Sequence, residues 1–424
     1  MGQNQSAKVK KPSRPLGQML LSYAASSGSL LAANVAQLMT FAILARSLGS
    51  EHFGLLVTIL AITAIATHIC GLGSTESLVR RVAQNKQVYT VLFGHCLSLI
   101  ALTGAALVLL GMSVLPLWIE LTTQGNFSEF SILLLLITNI VLVRLILLVE
   151  QIYIAHGQYQ SANLSVVGFA FARMFTAAVA CLVFTTEDIF TWAVWQFACH
   201  VIVMVFYYRY IWRLGKPVYR IIRHEIRLGL LFASQFVFKT AHQNVDLLML
   251  STLMPAGFVG SYAIVRRIID SSTMGIEAMN RLAYPRLAVA SSKGIQNAYA
   301  MTKKLQLAAL GIGFFTSLSI FIFAPVLPYL FGSDYDTLVQ YSRILCWTNV
   351  FFALWAVPIE TLGAAGKHGY RSAILNGANI FGGALLALAT WAYPPQGTFA
   401  AFYVIDLALA IASWICLLKT VRQS

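Results

Sequence analysis

Ser128-Glu-Phe-Ser-Ile-Leu-Leu-Leu-Leu-Ile-Thr-Asn-Ile-Val-Leu-Val-Arg-Leu-Ile-Leu-Leu-Val-Glu150 is almost wholly apolar between Glu129 and Glu150. It is long enough to cross the hydrocarbon core of a bilayer as a helix, which takes roughly 20 residues. A membrane β-barrel would show short alternating strands instead, so a continuous run of this length reads as a helix. About twelve such runs follow one another along the chain. Their limits are 18–45, 53–73, 89–115, 128–150, 161–184, 190–211, 229–252, 258–279, 304–330, 339–360, 371–392 and 398–418.

Composition agrees. Of the residues, 58% are hydrophobic and only 10% charged, against roughly 25% charged in a soluble domain. The net charge of +14 would suggest nucleic acid in a soluble protein. Here the basic residues gather between the apolar runs, which is a topology signal. The segments read as cytoplasmic carry Lys8, Lys10, Lys11 and Arg14; Arg80, Arg81 and Lys86; Arg209, Arg213, Lys216, Arg220, Arg223 and Arg227; Arg281, Arg286, Lys293, Lys303 and Lys304; Lys367 and Arg371; Lys419 and Arg422. The opposite segments carry Glu51, Glu120, Glu129, Glu187, Asp188, Asp334 and Asp336, with Arg46 their only basic residue. The alternation predicts twelve spans with both termini cytoplasmic. No loop exceeds about 25 residues, which leaves no room for an extramembrane domain. The first run is too long for the apolar core of a signal peptide and reads as a retained helix.

An internal repeat divides the chain. Glu150-Gln-Ile-Tyr-Ile-Ala-His-Gly-Gln-Tyr-Gln-Ser-Ala162 matches Glu360-Thr-Leu-Gly-Ala-Ala-Gly-Lys-His-Gly-Tyr-Arg-Ser-Ala373. Leu48-Gly-Ser-Glu-His-Phe-Gly54 more weakly matches Leu253-Met-Pro-Ala-Gly-Phe-Val-Gly260. Two matches at nearly one offset predict two parallel repeats of six helices: an N-terminal lobe over 1–211, a basic linker over 212–228 and a C-terminal lobe over 229–424, enclosing a central cavity. By analogy, that all-α membrane architecture points to a transporter working by alternating access.

Ionisable residues at membrane depth are costly and mark a cavity or a partner. Lys239, His242 and Asp246 share one helical face, where Lys239 and Asp246 can form a pair. Arg266 and Arg267 lie near the midplane. Asp270 can pair with Arg266 at i,i+4, whereas Arg267 points about 100° away and has no such neighbour. Arg144 and Arg173 have no acidic neighbour at helical spacing. Arg266, Arg267, Lys239, Arg173 and Arg144 are therefore candidates to bind an anion, since guanidinium groups suit phosphate through paired hydrogen bonds. Asp246, Asp270, Asp406, Glu150 and Glu360 are candidates for coupling or gating. Asn34 and Gln37 either line the cavity or bond between helices, and His68, His95 and His200 read as core residues. The six cysteines form no CxxC pair and read as core. No metal, nucleotide-binding loop or other cofactor is expected.

The stretch Leu44-Ala-Arg-Ser-Leu-Gly-Ser-Glu-His-Phe-Gly-Leu55, with Gly71-Leu-Gly-Ser-Thr-Glu-Ser-Leu-Val-Arg-Arg81, resembles the opening of the bacterial polysaccharide flippases. These include the O-antigen (Wzx-type) flippases of the multidrug/oligosaccharidyl-lipid/polysaccharide exporter superfamily. Asp246-Leu-Leu-Met-Leu-Ser251 with Val259-Gly-Ser-Tyr-Ala263 resembles the second-half counterpart. The resemblance implies a flippase for an undecaprenyl-pyrophosphate-linked oligosaccharide in the bacterial inner membrane. A polysaccharide polymerase and a chain-length regulator would be its neighbours, and a proton or sodium gradient its energy source. It carries over no individual binding residue. Two other readings stay open: a cation-coupled multidrug exporter of the same superfamily, and a membrane glycan polymerase or ligase.

Overall fold

The computed structural model describes residues 16–122, 128–292, 294–335 and 337–423. Lys8, Lys10, Lys11, Arg14, Lys293 and Asp336 lie outside them, as does the side chain of Glu120. Among the described residues there is no strand. The helices are α1 (Leu16–Ile69), α2 (Ser74–Gln84), α3 (Tyr89–Thr122), α4 (Glu129–Ala155), α5 (Tyr159–Val183), α6 (Ile189–Leu214), α7 (Arg223–Leu253), α8 (Ala256–Ser272), α9 (Met274–Ser292), α10 (Ile295–Phe331), α11 (Leu338–Ala364), α12 (His368–Ala392) and α13 (Gln396–Arg422).

Among the described residues, 9 helices are long and apolar enough to cross a bilayer. Helices α7, α8 and α9 are not among them. They are short or charged, and they hold Lys239, Asp246, Arg266, Arg267, Asp270 and Glu277. The first two runs read from the sequence join in α1, whose helical path breaks at Gly49 (φ 72, ψ 170). A left-handed φ costs glycine little, so the chain turns there without a loop. The eighth run is divided at Thr273 between α8 and α9.

The two matched turns share one geometry. After Glu150, Gln158 N–H donates to the Tyr153 carbonyl and Gly157 N–H to Ile154. After Glu360, Lys367 N–H donates to the Leu362 carbonyl and Gly366 N–H to Gly363. Both close on a left-handed glycine, Gly157 (φ 75) and Gly366 (φ 73), as a helix C-cap requires. The second matched pair meets in space. A Cβ added to Gly54 would lie 1.8 Å from the Ala256 carbonyl oxygen and 3.1 Å from the Gly260 nitrogen. Small residues let α1 and α8 approach backbone to backbone at this crossing.

Candidate functional site

A cavity of about 450 Å³ lies among α1, α4, α5, α7 and α8. At one end lies the Gly54–Gly260 crossing of α1 and α8. There Arg46 Nη1 donates to the Tyr329 carbonyl at 2.9 Å and Tyr335 Oη to the Ala45 carbonyl at 2.7 Å. Phe53 sets its ring edge-on to Tyr335. At the other end a smaller pocket of about 250 Å³ holds Asn34, Ser271, Glu277 and Arg281. Both volumes are lined by Arg267 and Asp270, so they adjoin. The smaller pocket carries Arg281 of α9, a cation of a segment read as cytoplasmic.

The second-half wall centres on Arg266. Its Nε lies 3.1 Å from Asp246 Oδ2 and its Nη1 lies 3.6 Å from Asp270 Oδ1. The guanidinium also covers the Phe402 ring, 4.3 Å from its centroid. Asp246 is 1% exposed and accepts a further hydrogen bond from Tyr262 Oη. Asp406 stands just behind, within electrostatic reach of Arg266, and accepts from Trp355 Nε1 at 2.9 Å. One guanidinium thus answers three carboxylates. Burial without partners would cost several kcal/mol per ion, which is why these groups are found together.

Arg173 and Arg267 differ. They line the cavity from α5 and α8, one from each half of the sequence. Among the described residues neither forms an ion pair. Arg267 donates to Gln37 Oε1 on α1. Arg173 lies near the Phe169 ring, and its Nε has no hydrogen-bond partner. Two guanidiniums lining one mostly apolar cavity suit a group with at least two negative charges.

Several residues read from the sequence fall elsewhere. Lys239 is exposed and does not line the cavity. The Lys239–Asp246 pair does not form, because Arg266 on the next helix takes Asp246. Arg144 is buried outside the cavity lining. It donates to Thr75 Oγ1 at 2.8 Å and lies 3.7 Å from Glu76, fastening α2 to α4. Glu360 pairs with Arg371 at 2.8 Å, whereas Glu150, among the described residues, forms no ion pair. His95 and His200 are buried, but His68 lines the cavity and stacks on Phe236.

Asn139 was not singled out by sequence reasoning, although it lines the cavity. It sits in a π-helical stretch of α4, Ile137–Leu142. Its carbonyl accepts from Thr67 Oγ1 at 2.7 Å and its side chain from Gln196 Nε2 at 3.0 Å. Such a bulge releases a carbonyl from the helix ladder. An amide inside the most apolar run was the available signal.

The chain is similar in fold to an inward-facing multidrug resistance MATE family transporter of the MOP superfamily. The TM-score is 0.72 and the identity 14%, covering 92% of this chain and 94% of that one. The MATE multidrug transporter DinF-BH gives a TM-score of 0.63 at 15% identity, with both chains fully covered at 100%. The outward-facing conformation of a MATE family transporter gives 0.57 at 14% identity, covering 95% of this chain and 96% of that one. No curated protein matches the chain in sequence. By fold the chain is similar to these multi-pass membrane transporters. The chain belongs to the polysaccharide biosynthesis protein family, whose model matches residues 22–291.

Proposed function

We propose that this transporter is a flippase for a glycan repeat unit linked to undecaprenyl pyrophosphate, carrying it from the cytoplasmic to the periplasmic leaflet of the inner membrane. The observation that carries this reading is that Arg173 and Arg267 line one cavity and, among the described residues, neither forms an ion pair. A pyrophosphate offers them two charged groups and several acceptor oxygens. The glycan would occupy the polar pocket around Asn34, Ser271 and Glu277, while the lipid tail stays among the helices.

The close α1–α8 crossing at one end, with the pocket that holds Arg281 at the other, suits receipt of substrate from the cytoplasmic leaflet. Rocking of an N-terminal lobe (1–211) against a C-terminal lobe (229–424) would then part the α1–α8 crossing. The carboxylates Asp246, Asp270 and Asp406 outnumber the guanidinium they surround, and on this reading they take the coupling proton or sodium ion. The exported unit passes to a polysaccharide polymerase and its chain-length regulator. Both termini are cytoplasmic.

The test is complementation in a strain that needs this gene for its surface glycan. Arg267→Ala and Arg173→Ala are each expected to abolish glycan display while the protein stays at wild-type level in the membrane. Undiminished display would remove the residue from the mechanism. Drug resistance on overexpression, with no glycan phenotype, would favour a multidrug exporter instead.

A further inference from the structure

The end of α6, the connection after it and the first turn of α7, residues 209–227, form a surface that the transport reading does not use. Arg209, Arg213, Lys216, Arg220, Arg223 and Arg227 are all exposed along it. Its only carboxylate, Glu225, is 4% exposed and is taken by Arg81 of α2 at 2.7 Å. Among the described residues none of these cations forms an ion pair. Between them stand exposed apolar groups: Trp212, Val218, Tyr219 and Ile221, from 48% to 70% exposed.

This segment is held in place. Val218 N–H donates to the Thr90 carbonyl at 2.9 Å, and Ile222 N–H to His95 Nδ1 at 3.2 Å. Gly94 lets the Val218 carbonyl lie where any Cβ would stand, 2.1 Å away. At its far end Gly229 meets Gly73 in the same manner. The basic and apolar side chains are thus presented on a fixed backbone.

We propose that residues 209–227 form a docking surface for anionic phospholipid headgroups of the adjoining leaflet. A soluble polyanion would answer the charge but leave Trp212, Tyr219 and Ile221 in water. A lipid interface takes both, since aromatic rings settle at the headgroup level and cations meet the phosphates. The segment also begins where the span Ile189–Leu214 ends, at the depth where headgroups lie. Each cation near an anionic leaflet raises local association about fivefold. The inference does not depend on which substrate the cavity carries.

The full-length protein would be reconstituted in phosphatidylcholine vesicles with photoactivatable phosphatidylglycerol or photoactivatable phosphatidylcholine, and crosslinked peptides mapped by mass spectrometry. Phosphatidylglycerol is expected to label the 209–227 peptide far more than phosphatidylcholine does. The variant R213Q/K216Q/R220Q/R223Q should lose about tenfold or more of that labelling, while labelling of the exposed face of α10 stays constant and reports an intact fold. Trp212→Ser with Tyr219→Ser should also weaken it, with every charge retained. Equal labelling by the two lipids, or labelling unchanged in either variant, would overturn the proposal. So would loss of labelling on addition of inorganic phosphate, which would make this a soluble-anion site.

Discussion

Two groups of arginines in the central cavity handle positive charge in opposite ways. Arg266 is fixed between Asp246 and Asp270 and over the Phe402 ring. Its sequence neighbour Arg267, which lines the same cavity as Arg173, has the amide of Gln37 as its hydrogen-bond partner. A guanidinium held by two carboxylates has little left to offer a ligand. One that rests on a neutral amide can exchange that bond for a phosphate oxygen and gain a charge-assisted one. Depth alone makes the three arginines equivalent candidates; their partners separate a structural group from a ligand-facing pair.

The contrast is broken most severely at Asp246. Asp246→Ala removes the nearest and most buried counter-charge of Arg266, leaving Asp406 and the exposed Asp270, and is expected to cost about 3 kcal/mol. Thermal unfolding of the purified protein in detergent would register it as a large loss of folded material. If the pair is structural, Asp246→Leu combined with Arg266→Met should recover most of that stability, because apolar replacement of a buried pair is close to neutral. Failure to recover would mean that Arg266 is needed for more than holding Asp246.

At Arg267 the expected effect is on ligand rather than fold. Arg267→Gln should weaken binding of a pyrophosphate-bearing lipid by about 1.5–3 kcal/mol, some tenfold to hundredfold, measured by isothermal titration or a fluorescent analogue. Its thermal stability should stay near wild type. A stability loss as large as that of Asp246→Ala, with binding intact, would abolish the distinction drawn between the neighbours. The smallest effect is expected at Glu360–Arg371, where both side chains are partly exposed, at 26% and 35%. Arg371→Ala should change stability by about 1 kcal/mol or less, and a larger loss would show that this helix-end pair carries weight comparable to the cavity pairs.

Much of this architecture is legible in the sequence. Apolar runs specify helices because lipid leaves backbone groups no partner but each other. The matched segments after Glu150 and Glu360 do form the same glycine-closed turn, since a left-handed cap needs a particular residue at a particular place. Helical spacing placed Asp246 correctly on the cavity face, and it anticipated the Arg266–Asp270 pair. It failed for Lys239, because the spacing along one helix says nothing about a better partner on the next. Arg144 failed for the same reason, since Glu76 reaches it from α2.

Composition, period and local turn chemistry are properties of neighbouring residues. A helical membrane protein with repeated turns and a charge asymmetry across its loops therefore follows from the order of residues alone. Which deep charges neutralise one another depends on residues brought together from distant helices. It took the packed helices to enclose Arg266 in carboxylates, to make Arg144 a fastener between α2 and α4, and to set Arg173 and Arg267 in one cavity. A buried charge takes the strongest partner within a few ångströms, and those few ångströms are set by packing rather than by position in the chain.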